Sequence, residues 1–225
     1  PQTLENLLVA NEPTGAGLQA GQISKYDMDS YLYFWASIDK VVISEDDYET
    51  GLMASVFASY FNAPLLFDDE LFDPTVLNDR QAYVVGNIRQ TTEQEIENRR
   101  KTTSEKTYYT LEELRKAYAG WTGTDKVILV NPADLNITAN KDYKPDKSPT
   151  ISTLYGKHSL AVPFLAAAKH EVVISTTANT YLAVDSYVED TLSTLKLPGS
   201  LTYLTIVANP KAIPIARENR ATSPA

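Results

Sequence analysis

The chain has 225 residues, 43% hydrophobic and 22% charged, with 9 Gly, 12 Pro, 2 His and no Cys. Lacking Cys, it has no thiol nucleophile, thiolate metal site, iron–sulfur centre or disulfide, and a chain this long buries enough surface to fold without them. Its 20 Lys and Arg against 29 Asp and Glu give a net charge of -9, which argues against a generic phosphate-binding surface, so no nucleic-acid partner is expected.

No apolar run approaches the ~20 residues of a membrane span, so no transmembrane segment is expected. The sequence opens at Pro1 without Met or a signal peptide, and reads as a processed form or a piece cut from a longer protein. Short β-branched runs between turn residues predict strands at Lys40–Ser44, Pro64–Phe67, Ala82–Gly86, Lys126–Val130, Val172–Ser175 and Tyr203–Ala208. They are apolar on both faces, as in a parallel sheet covered on each side by helices. Helical patterns fall at Tyr26–Ala36, Thr50–Phe61, Thr110–Ala119, Ser159–His170 and Tyr181–Leu195. The fold class predicted is α/β, three-layer and doubly wound, with a mostly parallel sheet.

The order repeats. Asp39–Ser44 (DKVVIS) matches Asp125–Val130 (DKVILV), each preceded by a Tyr-rich helix with a Trp near its end, Trp35 or Trp121. Each is followed by an Ala-rich helix, a short strand and a closing strand, YVVGN at Tyr83–Asn87 and TIVAN at Thr205–Asn209. Two tandem β-α-β-α-β halves are therefore expected, roughly 1–106 and 107–225, packed as one unit. Three stretches interrupt the pattern. Thr92–Lys106 is a charge-mixed run expected to form a solvated helix and linker, Asn131–Thr150 a long polar loop, and Arg217–Ala225 a frayed tail.

Most familiar catalytic signatures are missing: there is no G-x-G-x-x-G, Walker loop, G-x-S-x-G or H-E-x-x-H. The turns after the first and fourth strands carry Glu45-Asp46-Asp47 and Asn131-Pro132, where a pyrophosphate would need Gly and free N–H groups, so no nicotinamide or flavin cofactor is expected. In an open parallel sheet, ligands bind beyond the carboxyl ends of the strands. The polar residues there are Glu45, Asp46 and Asp47, then Asp68 and Asp69, then Asn87, Asn131, Asp134, Thr176, Thr177, Asn179 and Asn209.

Glu45, Asp46, Asp47, Asp68 and Asp69 form the candidate metal set, since Ca²⁺ or Mg²⁺ prefers oxygen ligands and would relieve their repulsion. Helix capping competes for the same residues: Asp46 or Asp47 can cap a helix over Glu49–Phe61, and Thr177 or Asn179 the Tyr181 helix. These carboxylates have no accompanying nucleophile, and neither His158 nor His170 sits in a triad or metal spacing. His170 closes an Ala-rich helix, where its charge would suit the dipole. The 14 Tyr are spread along the sequence, which fits half-buried packing better than a sugar-stacking platform. Asn136-Ile137-Thr138 is a glycosylation sequon that matters only in an exported protein.

Four pieces of the first half resemble the type 2 cell-wall-binding repeat family of bacterial and archaeal surface proteins. They are Ile23–Tyr31 (ISKYDMDSY), Lys40–Ala54 (KVVISEDDYETGLMA), Phe61–Phe67 (FNAPLLF) and Tyr83–Asn87 (YVVGN). They stand where that family has its G-x-D-R-Y opening, its strand and DYPDALAA helix start, its lGAPLLL strand and its YVVGG closing strand. Glu49-Thr50-Gly51 and Asn87 depart from that pattern, and the second half keeps the layout with few identities.

The resemblance implies an exported, extracellular or cell-surface, non-enzymatic module. Its partners would be a cell-envelope polymer or other domains of the same protein, met at loops over the strand ends. A net charge of -9 opposes direct binding to an anionic polymer unless a cation bridges the two. A fainter resemblance joins Leu204–Pro214 (LTIVANPKAIP) to gingipain-like cysteine peptidases, of which this chain would be the non-catalytic leading part. A two-lobed small-molecule-binding protein is the third class, and it predicts a cleft between the halves.

Overall fold

A computed structural model describes residues 32, 37–69, 72–102, 106–133, 158–208 and 212–213. The expected Tyr26–Ala36 helix, the Asn131–Thr150 loop beyond residue 133, the sequon and the Arg217–Ala225 tail lie outside the described residues, apart from Leu32.

Strand β1 (Lys40–Ser44) is followed by helix α1 (Tyr48–Phe61), β2 (Leu65–Phe67), a 3-10 turn (Pro74–Leu77), β3 (Gln81–Val85), α2 (Gln90–Arg99) and β4 (Tyr108–Tyr109). Helix α3 (Leu111–Thr122) leads into β5 (Lys126–Val130), a 3-10 turn (His158–Ala161), α4 (Val162–Lys169), β6 (Val172–Ser175), α5 (Tyr181–Leu195) and β7 (Tyr203–Ile206). The expected α/β fold with two halves is present and every strand pairing is parallel, but the strands divide into two sheets, ordered β2-β1-β3-β4 and β6-β5-β7.

The first sheet shows why its strands are apolar at their centres. Val42, Tyr83 and Val85 face a core shared with α1, while Val41, Ile43, Ala82 and Val84 face a second core with Val76, Leu77 and Ile96. Alternate side chains point to opposite faces, so covering both faces leaves no polar position inside the strands. The strand β4 was not anticipated. At two residues it carries no period of its own, and pairing with β3 (Val84↔Tyr108, Val85↔Tyr109) defines it. Residues on both sides of the expected 106/107 division therefore share the first sheet. The charged run before it does fold as a helix, α2, anchored by buried Thr92 and Ile96.

Helix α1 is buried nearly all round, from Thr50 to Met53, Ala54, Val56, Phe57 and Ala58. Such a helix belongs in an interior, and α1 touches β1 and β2 on one side and α3, α4 and β6 on the other. It is the layer joining the two halves. A Cβ on Gly51 would meet the Phe67 ring at 2.9 Å, so a small residue is needed at that contact.

Arg115, itself buried, crosses the same joint. Its Nε donates to the Val173 carbonyl of edge strand β6 at 2.8 Å and its Nη2 to Glu49 Oε1 of α1 at 2.6 Å. Helix α4 is shorter than expected because Pro163 stands in its first turn, where the missing N–H is harmless; the residues before it form a 3-10 turn instead. In the second sheet β5 is buried from Val127 to Val130, whereas β7 leaves Tyr203, Leu204 and Ile206 exposed.

Candidate functional site

The acidic residues at the carboxyl ends of the first sheet do not gather around a point. Among the described residues, no group of three or more acidic or histidine side chains is placed to hold a metal ion. Asp47 caps α1: its backbone is extended (φ -128°, ψ 146°) and Oδ2 accepts from Glu49 N at 3.0 Å and Thr50 N at 3.1 Å. Its neighbour Asp46 is exposed. Glu45 turns toward the end of β3, where Oε2 accepts from Asn87 N at 2.9 Å. That approach depends on Gly86, which has φ +83° and whose added Cβ would lie 2.8 Å from Glu45 Cβ.

Asp68 is enclosed, with a side chain 4% exposed. Its carboxylate accepts from the backbone N–H of Arg89, from Arg89 Nε at 2.9 Å and from Thr92 Oγ1 at 2.6 Å. Burial would raise its pKa, but the hydrogen bonds from Thr92 and Arg89, with the Arg89 charge, outweigh it and hold the carboxyl below its ordinary 3.8. Asp69 contributes its carbonyl, which accepts from Arg89 Nη2. These groups therefore clamp α2 onto the sheet.

The second half is tied in the same manner. Asn131 is buried and donates from Nδ2 to Ala178 O at 3.0 Å and Ala212 O at 2.8 Å, while Oδ1 accepts from Ala133 N at 2.9 Å. One amide thus joins the loops after β5, β6 and β7. The expected cap of α5 moves by one residue: Thr180 accepts from Ala183 N, and the nearby Thr176 Oγ1 instead accepts from Ala178 N at 3.1 Å. Asp134 and Asn209 lie outside the described residues. A cleft of about 350 Å³ separates α3 from α5, lined among others by Arg115, Tyr187 and Asp190. It lies inside the second half, not between the halves.

The opposite end of the first sheet carries a feature that sequence reading dispersed. Phe57, Tyr60 and Phe61 lie on one face of α1, at i, i+3 and i+4, and Tyr118 and Trp121 stand three apart on α3. With Tyr83 and Tyr109 they form one aromatic group: Phe57 stacks on Trp121 at 5.7 Å, Phe61 on Tyr83 at 4.8 Å, and Tyr60 lies nearly parallel to Trp121 (9°) at 6.3 Å. Lys40, at the amino end of β1, sits 4.4 Å over the Phe61 ring. The inner rings are buried, but Tyr60 is 40% and Trp121 43% exposed, and His170 meets Tyr60 edge-on at 6.4 Å.

Behind Tyr60, the phenol of Tyr118 is fully buried with no hydrogen-bond partner among the described residues. Burial and the neighbouring Tyr60 push it up to about 12, so it stays neutral and remains a potential donor. The spacing of residues 57, 60 and 61 and of 118 and 121 was the signal available for this group. His170 closes the Ala-rich helix as expected, exposed and in the left-handed region (φ 56°).

Fold and surface together define a parallel α/β protein of two halves with one half-exposed aromatic surface. No family model, no curated protein and no solved structure matches the chain.

Proposed function

We propose that this chain is a non-enzymatic binding module of a cell-surface or cell-wall-associated protein, with a polymer of the cell envelope as its partner. The observation that supports this reading best is the half-exposed Tyr60–Trp121 pair resting on a rigid aromatic base. Trp and Tyr present large contact areas at low entropic cost and dominate the energetics of binding surfaces. The resemblance of residues 20–90 to cell-wall-binding repeats points the same way. Our reading moves the contact surface from the strand-end loops, whose acidic groups largely serve caps and clamps, to the amino end of the first sheet.

Sedimentation with insoluble envelope material tests the proposal. The purified chain should pellet with the envelope fraction, and the double variant Tyr60→Ala, Trp121→Ala should remain largely in the supernatant. A wild-type chain that stays in the supernatant would overturn it.

A further inference from the structure

Resting on that reading, we infer that the Tyr60–Trp121 surface binds an uncharged sugar chain through the faces of its pyranose rings. Three helices end at this surface. α1, α3 and α4 each close with a left-handed residue, Asn62 (φ 50°), Gly123 (φ 64°) and His170 (φ 56°). The rings come from the last turns or caps of the same helices: Tyr60 from α1, Trp121 from α3 and His170 from α4. A helix end exposes unpaired carbonyls and a partial negative charge, and neither α1 nor α3 has a basic residue in its last turn.

This chemistry selects among ligands. An anion meets a chain of net charge -9, and the cations beside these rings, Lys40 over Phe61 and Lys106 over Tyr109, already face aromatic partners. A quaternary ammonium group is held best when aromatic rings surround it; Tyr60 and Trp121 instead stack nearly parallel, 40% and 43% exposed, and form no cage. A pyranose has an apolar C–H face to lie on a ring and a rim of hydroxyl donors for helix-end carbonyls, and it carries no charge to repel. The combination of aromatic contact and a few directed polar groups is that of a small-molecule subsite. The Tyr118 hydroxyl, fully buried against Tyr60 and without a partner among the described residues, lies beneath the contact surface rather than on it.

Trp121 supplies its own probe. In a Trp35→Phe background it is the sole tryptophan of the chain, and its fluorescence can be titrated with N-acetylglucosamine tetramer and glucose tetramer. Saturable quenching by at least one neutral tetramer is expected, with affinity weakened by about tenfold or more in Tyr60→Ala, as for aromatic anchors elsewhere. The melting temperature of that variant checks that it folds, and His170→Ala offers a second variant at an exposed cap, expected to weaken binding less.

Absence of any response to the neutral tetramers, or saturation only by choline or by a polyanionic glycan, would overturn the inference. If the chain nevertheless pelleted with envelope material, the binding-module reading would stand and only the ligand class would fall. If it neither pelleted nor responded, both would fall.

Discussion

The two ends of the first sheet use their side chains in opposite ways. At the carboxyl ends, Glu45, Asp47 and Asp68 are charged and conspicuous in sequence, yet each is engaged by a neighbouring backbone or side chain. At the amino ends, the residues are aromatic and inconspicuous, yet Tyr60 and Trp121 keep nearly half of their surface exposed. Binding capacity lies with groups whose interactions are not already consumed by the fold. Buried polar groups must be paired to persist, so a carboxylate cluster beside backbone N–H groups becomes scaffold. An aromatic ring can be half packed and still offer its other face.

Substitutions at the two ends should separate along that line. Gly86→Ala should be the most damaging, because it forces a side chain into φ +83° and against Glu45. Strain of this kind costs on the order of 2–3 kcal/mol, readable as a lower denaturant midpoint with unchanged sugar binding. Asp68→Asn should cost about 1–2 kcal/mol, since it weakens charge-assisted bonds from Arg89 and Thr92 around an enclosed oxygen; Arg89 is 45% exposed and recovers part of the loss through water.

The pH dependence of that pair has a definite sign. Asp68 has a folded-state pKa below 3.8, so its stabilisation is complete above the unfolded value and disappears as pH falls through the folded one. Wild type should therefore lose its advantage over Asp68→Asn on acidification below pH 3.8, and equal curves at neutral and acid pH would break the clamp account. Tyr60→Ala should cost about 1–2 kcal/mol in stability, because the packed part of the ring is lost, while binding falls sharply. Smallest of all, millimolar Ca²⁺ should leave the melting temperature unchanged, since the five carboxylates are dispersed. A rise would revive the metal site at Glu45, Asp46, Asp47, Asp68 and Asp69.

Sequence patterns carried the strands and the parallel class well, because a strand buried on both faces is apolar at consecutive central positions, as Val41, Val42 and Ile43 are. They also carried the Asp47 cap, a contact between neighbours in the chain. They did not carry β4, which exists through its pairing with β3, or the division of the strands into two sheets. The Asp68–Arg89 and Glu49–Arg115 pairs span 21 and 66 residues, separations that local periodicity does not encode. The aromatic group was half legible, in the helical spacing within α1 and within α3. Its assembly depended on α1 packing against α3, a consequence of how the two halves fit around one buried helix.

The most direct test is an amide and indole NMR spectrum of the chain recorded with and without each of the neutral tetramers, of N-acetylglucosamine and of glucose. The account predicts shifts confined to the Trp121 indole and the backbone of Tyr60, Asn62, Gly123 and His170, with Glu45, Asn87 and Arg89 unmoved. Shifts clustered instead at Asn87 and Arg89, or no shifts at all, would contradict it.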